Sequence, residues 1–336
     1  MRIGKLEENI VKRSVIRPLS PVMQGNAAWK TACIGPLPGY EASPRMQVTA
    51  ACSRLWTQAA RPSFLTLQAL LPPSMEEAAL KQYMKELAAA AAERELTVSG
   101  GHTQVTDSVT KPLFTVTAFG KSIPEEELRS HARPLQPGDT LLLTDHIALA
   151  GTAAAAEKYR EKLDRRLPEA LIDKAVSFAE QMLVPETAAF LLTGKMRKTG
   201  EAEALQDLFL YDLSQGGILG ALRLVTEKAG VGLTADLKAI PIRQETVEIC
   251  EQLDLNPYEL YSAGSLLIGT KEPEKVRKLL TDAGISAVVF GRTTSGKDRI
   301  LQNEEEIRFL DRIPQDAWYR LYDADLYEGD RGPGLN

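Results

Sequence analysis

Aromatic residues make up only 6% of this 336-residue chain, and its 40 lysines and arginines are scattered among 45 acids, giving a net charge of −5. A nucleic-acid partner calls for a basic footprint and stacking platforms, so that class is set aside. No apolar run approaches the roughly 20 residues of a membrane span. Met1-Arg2-Ile3-Gly4-Lys5 leads into charged sequence rather than a signal-peptide core. The expectation is a cytoplasmic protein with no membrane partner. Cys33, Cys52 and Cys250 are an odd number without CxxC spacing, which argues against a disulfide framework or a thiolate zinc site. His102, His131 and His146 lie too far apart for a local metal motif.

What is present is ordinary globular composition, 44% hydrophobic and 25% charged, in a chain long enough for two cores. A helical start at Glu7 to Arg13 precedes a Pro- and Gly-rich stretch. The pattern then predicts strands at Met46 to Thr49, Phe64 to Leu71, Leu96 to Ser99 and Phe114 to Gly120. Helices are expected over Ala50 to Ala60 and from a Ser74 cap, with Glu77 three residues on, to Arg94. Pro134-Leu135-Gln136-Pro137-Gly138-Asp139 is a dense turn signal and marks a domain boundary, giving domains 1–133 and 134–321 and a tail, 322–336. The second half alternates strands (Thr140 to Thr144, Leu208 to Tyr211, Leu233 to Leu237, Ser265 to Thr270, Ser286 to Phe290) with helices. Those helices are Ala148 to Leu163, Pro168 to Leu183, Ile218 to Lys228, ended by Gly230, Glu245 to Leu253 and Pro273 to Ala283. Both domains are therefore α+β.

Two glycine pairs stand out. Ser99-Gly100-Gly101-His102-Thr103 follows a β-type run, and Asp212-Leu213-Ser214-Gln215-Gly216-Gly217 opens an amphipathic helix. Without a Cβ, backbone amides approach a phosphate closely, although each pair reads equally as a tight corner. A third glycine-bearing segment, Gly291-Arg292-Thr293-Thr294-Ser295-Gly296-Lys297, has P-loop spacing but carries Asp298 where a magnesium-binding hydroxyl belongs. Arg299 to Asn303 then alternates like a strand. It reads as a hairpin loop between two strands.

Gly4-Lys5-Leu6, Ala59-Ala60-Arg61-Pro62, Gly100 to Thr106, Asp212 to Gly217 and the block Ile240 to Thr270 come in an order that resembles AIR synthase-related proteins. The nearest resemblance is to the branch of the hydrogenase maturation factor that dehydrates a thiocarboxamide. The resemblance implies a two-domain α+β fold whose N-terminal strands join a partner's into a barrel. It implies a homodimer with an ATP site near the dimer cleft, and acidic residues that hold Mg²⁺. On that resemblance Gly100, Gly101, His102, Thr103, Asp212, Ser214, Gly216 and Gly217 are the candidate cofactor-binding residues.

Four positions depart from the family pattern. Asn26 stands where a metal-binding aspartate is expected, Arg54 falls on an Asn-Asp pair, and Gln104 and Gln215 replace acids. The terminal cysteine that accepts a carbamoyl group in that branch is absent; the chain ends Gly332-Pro333-Gly334-Leu335-Asn336. The expectation is a pseudoenzyme: a homodimer that binds a small-molecule or anionic ligand, or regulates. The alternatives are an active ATP-dependent enzyme using other carboxylates, such as Asp107, Asp145 or Asp236, and a structural partner in an assembly. Single residues stay open between two roles. His102 is a phosphate contact or a loop hydrogen bond, Asp212 a pocket residue or a helix cap, and Arg54 a salt bridge across the vacated metal position or an anion ligand. Cys52 reads as a small packed residue.

Overall fold

The computed structural model describes residues 8–20, 28–40, 43–181, 184–194, 205–304, 306–312 and 314–321. Gly4-Lys5-Leu6, Asn26 with its neighbours Gln24, Gly25 and Ala27, and the 322–336 tail lie outside the described residues.

Strands β1 (Trp29–Ile34), β2 (Ala60–Leu71), β3 (Thr97–Val105) and β4 (Leu113–Ser122) form a four-stranded sheet in the order β1-β4-β2-β3. Alternation decides its faces. Along β4, Phe114, Val116 and Ala118 are buried, while Thr115, Thr117 and Phe119 are only partly covered. The covered face carries helix α3 (Pro44–Trp56), which packs on β1, β2 and β4 and on helix α4 (Glu77–Glu93). Trp29, Phe64 and Phe119 cluster on neighbouring strands, with ring centroids 5.5 Å apart for the first pair and 4.8 Å for the second. β2 and β3 are parallel and joined through α4.

Four expectations need correction here. Met46 to Thr49 is helix, because Pro44 occupies the first turn and the Ser43 hydroxyl accepts the Met46 N–H at 3.4 Å. The β-branched Val48 and Thr49 suggested a strand, but the cap decides. The first strand is instead β1, within the Pro- and Gly-rich stretch. Helix α4 starts at Glu77 with Glu76 as its cap, and no side chain makes a cap hydrogen bond. The glycine pair of residues 100 and 101 is no turn: β3 runs straight through it, with a register shift opposite Leu65 and Thr66.

The second sheet has the order β11-β10-β7-β9-β5-β8-β6. Its strands are β5 (Thr140–Thr144), β6 (Phe209–Asp212), β7 (Gly232–Asp236), β8 (Leu266–Thr270), β9 (Ala287–Thr294), β10 (Arg299–Asn303) and β11 (Glu306–Phe309). Helices α5 (Leu149–Lys158), α7 (Glu169–Val176), α8 (Val184–Thr193), α9 (Gly217–Ala229), α10 (Gln244–Leu253) and α11 (Pro273–Asp282) accompany it. Short α1 (Glu8–Val11), α2 (Arg17–Leu19) and α6 (Arg160–Leu163) are further helices among the described residues, with π- or 3-10 turns at Lys12–Ile16, Glu125–Glu127 and Ser177–Glu180. Gly230, in the left-handed region at φ 69°, ends α9 as expected. The segment with P-loop spacing is not a hairpin loop, because β7 lies between β9 and β10 and pairs with both. Helix α3 touches α8 and β6 as well as its own sheet, so it faces both halves of the chain.

Candidate functional site

Helix α3 presents Met46, Thr49, Ala50 and Ser53 to a small cleft, closed on the far side by Val184, Asp212, Ala263 and Gly264. Small residues on α3 let the second half of the chain approach closely. Asp212, buried at the end of β6, and Arg54, one residue beyond the cleft-lining Ser53, act with opposite sign on the same two phenols. Burial first, then Asp212, pushes the Tyr211 hydroxyl up; Arg54 and a hydrogen bond with Ser214 oppose it. Tyr261, fully buried, is held well above the ordinary tyrosine value by burial and then by Asp212, again against Arg54.

Among the described residues Arg54 makes no ion pair. Its guanidinium donates to the Cys33 carbonyl at 3.4 Å. The salt bridge considered for this position is thus not formed among the described residues, and the cation carries no bonded anion. Gln215 reaches across to the Pro36 carbonyl at 3.5 Å. Cys52 lies buried in the first core, where desolvation pushes its thiol up to about 12, as suits a packed residue.

The two glycine pairs sit in unlike surroundings. Gly100, Gly101, His102, Thr103 and Gln104 lie on β3, an edge strand whose nine residues are all exposed. The His102 Nε2 and Gln104 Oε1 atoms are 3.1 Å apart. Gly101 is required by packing, since a Cβ there would stand 2.0 Å from the Leu67 carbonyl oxygen. Gly216 and Gly217 form the entry to α9, both in the left-handed region. Their amides are engaged within the chain. Gly216 donates to Asp316 at 2.7 Å, Gly217 to the Ser214 carbonyl at 3.2 Å, and Leu219 to the Tyr258 carbonyl at 3.2 Å.

Asp316 escaped the sequence reading. Besides Gly216, its carboxylate accepts the Trp318 N–H at 3.0 Å and the Tyr261 N–H at 3.3 Å. Burial raises its pKa to about 6 against the pull of those three amides, and nearby Glu259 adds to the rise. No sequence signal marks it, because two of its three amide partners, Gly216 and Tyr261, come from distant segments. Asp212 lines the cleft, and with Arg54 and Ser214 it acts on the Tyr211 hydroxyl, while the residues of β3 pack on β2 and α4.

Magnesium takes oxygen ligands and favours carboxylates. At the cleft the described donors are one carboxylate, Asp212, with a guanidinium in the same neighbourhood, and this set does not fit Mg²⁺. No group of three or more His, Cys, Asp or Glu among the described residues is placed to hold a metal ion. Nor is any described helix long and apolar enough to cross a membrane.

Comparison with known proteins agrees with the architecture. The N-terminal domain model of AIR synthase-related proteins matches residues 38–122, and the C-terminal domain model matches residues 136–302. A provisionally named hydrogenase expression/formation protein of Methanocaldococcus jannaschii is 23% identical over 70% of this chain and 64% of its own length. The carbamoyl dehydratase HypE of Azotobacter vinelandii is 26% identical over 73% of this chain and 67% of its own. The chain thus spans about two thirds of the length of these curated relatives. The crystal structure of E. coli HypE superposes with a TM-score of 0.67 at 20% identity, covering 94% of this chain and 91% of that one. A HypE structure in complex with ATP gives 0.63 at 16% identity, covering 94% and 97%. At these identities the structures establish the fold: two α+β halves in the arrangement of the hydrogenase maturation factor. The chain belongs to the AIR synthase-related family.

Proposed function

We propose that this protein is a HypE-like member of the family that has exchanged metal-dependent nucleotide chemistry for binding of a small anionic ligand, and acts as a homodimer. The observation that carries the reading is Arg54: a guanidinium next in sequence to the cleft-lining Ser53, with no ion pair among the described residues, where the family resemblance calls for a magnesium ligand. Gln104 and Gln215 extend the same loss of negative charge. An anion entering beside Arg54 gains a charge-assisted hydrogen bond that Mg²⁺ could not use. The homodimer is supported by β3, whose long exposed edge offers unpaired backbone groups to another strand, and by the Trp29, Phe64 and Phe119 cluster on the same sheet.

A second reading, an active ATP-dependent enzyme, is favoured by that same edge. A second copy placed there would bring further carboxylates, and one structural neighbour was crystallised with ATP. Calorimetric titration of the purified chain with ATP, with and without Mg²⁺, separates the two. The proposal expects no magnesium-dependent binding at micromolar concentrations. Tight binding that requires Mg²⁺ would replace it with the enzyme reading. The Arg54→Asp variant sharpens the result, since it should raise magnesium affinity in a chain that stays folded.

A further inference from the structure

At the C-terminal end of β5, the backbone turns into α5 through Asp145, His146, Ile147 and Ala148. Two of these non-glycine residues are left-handed, Asp145 at φ 54° and Ala148 at φ 61°. Such a backbone is strained and persists only where the surroundings enforce it. Four hydrogen bonds do so. Asp145 donates to the Ser286 carbonyl at 3.0 Å, Ile147 to the Pro241 carbonyl at 3.1 Å and Ala148 to the Ser262 hydroxyl at 2.9 Å. The Ser265 hydroxyl donates to the His146 carbonyl at 2.6 Å.

The backbone is fully tied, yet the side chains are not. The bond to Pro241 sets this loop beside Arg243, at the start of α10. Among the described residues, Asp145, His146 and Arg243 form no side-chain hydrogen bond or ion pair, although His146 Nδ1 and Arg243 Nε are shielded from solvent. An unsatisfied buried polar atom is destabilising and calls for an explanation. Asp145 and His146 both feel the charge of Arg243. Burial raises the Asp145 pKa and Arg243 opposes it; burial, then Arg243, lowers that of His146, which is therefore neutral at pH 7. Glu245 of α10 opposes the lowering at His146, and is itself ion-paired with Lys174 of α7. A cation, a neutral imidazole and a carboxyl thus converge on one strained loop.

We propose that Asp145, His146 and Arg243 form a binding site for a proton-bearing oxyanion of the phosphate class. Arg243 and His146 donate to its charged oxygens, and Asp145 accepts its P–OH hydrogen. The carboxylate makes the site selective. Sulfate carries no proton at neutral pH, so one of its oxygens would face Asp145 with nothing to donate. The site is independent of the cleft reading, because it uses neither Arg54 nor Asp212.

Three histidines in the whole chain make the test direct by proton NMR of the imidazoles, with His146→Gln assigning the resonance. The full-length protein is titrated with inorganic phosphate, sulfate or chloride at constant ionic strength, and with phenyl phosphate to separate free phosphate from a phosphomonoester. The expected result is a saturable His146 shift with phosphate and at least tenfold weaker binding of sulfate. The His146 pKa should rise by about one unit in the complex, since an anion beside the ring favours its charged form. His102 and His131 should stay still. Arg243→Gln should abolish the shift, and Asp145→Asn should close the gap between phosphate and sulfate. No saturable His146 shift at millimolar phosphate, equal response to sulfate, or an unchanged response in folded Arg243→Gln would overturn the site. Should Arg243→Gln fail to fold, the phosphate–sulfate contrast in the native chain decides alone.

Discussion

The two glycine pairs look alike in sequence and do unlike things. Gly100-Gly101 lies inside an exposed edge strand, where the pair loosens the register and lets β2 approach. Gly216-Gly217 lies in the interior, left-handed at both residues, with the Tyr258 to Leu260 backbone pressed against Gly217 and Asp316 holding Gly216. A glycine pair states only that the backbone is free to bend or to be approached. What approaches it, a strand or an internal carboxylate, decides whether its amides are open to a ligand.

Alanine substitution tests this contrast most strongly. A Cβ on Gly217 would stand 2.4 Å from the Tyr258 carbonyl oxygen at a left-handed φ, so Gly217→Ala should lose ~3 kcal/mol or more in urea unfolding. Gly101→Ala meets the Leu67 carbonyl oxygen, but on an edge strand that has room to shift, and should lose ~2 kcal/mol. Gly100→Ala has nothing within 4 Å of the new Cβ but a φ of 158°, which L residues rarely adopt, and should lose ~1 kcal/mol from backbone strain alone. Equal losses at Gly217 and Gly100 would erase the distinction between interior and edge.

The Asp316 contact sharpens it further. Its pKa rises from 3.8 to about 6 on folding, chiefly through burial. A folded pKa above the unfolded one means that this group's favourable contribution is complete below pH 3.8 and is lost as pH rises through about 6. The stability difference between the native chain and Asp316→Asn should therefore move in favour of the native chain as pH falls from 7 to 5. The change is about 1 kcal/mol. A pH-independent difference would show that the carboxylate is not held in this buried position. The smallest effect on stability is expected at the edge. Val105, 62% exposed at the end of β3, can become Lys with a change under ~0.5 kcal/mol. Sedimentation should nevertheless show weaker self-association. Undiminished association would move the proposed dimer interface away from β3.

Much of the second half was legible because its signals are local. β5 spans Thr140–Thr144 as read, and Gly230 ends α9, since an αL cap needs only the glycine itself. Misreadings arose where a local signal met a tertiary one. Val48 and Thr49 favour a strand in isolation, yet the Ser43-Pro44 start and the buried face of α3 make them helix. Helix α8 was not anticipated as a separate element, and β11 pairs only through its register with β10. At the candidate site, the motif residues Asp212, Ser214 and Gln215 were named from order along the chain. Their meeting with Arg54 depends on α3 facing both halves.

By itself the sequence determined the family and the α+β alternation, because these are written in residue identity, order and short-range periodicity. Only the tertiary structure decided which amides are occupied and which charges are left unpaired. Asp316 reaches Gly216 across 100 residues of chain, and Arg243 comes beside Asp145 through a single bond to Pro241. Contacts over such separations are set by how the elements pack, and no local pattern of residues encodes where a distant side chain will land.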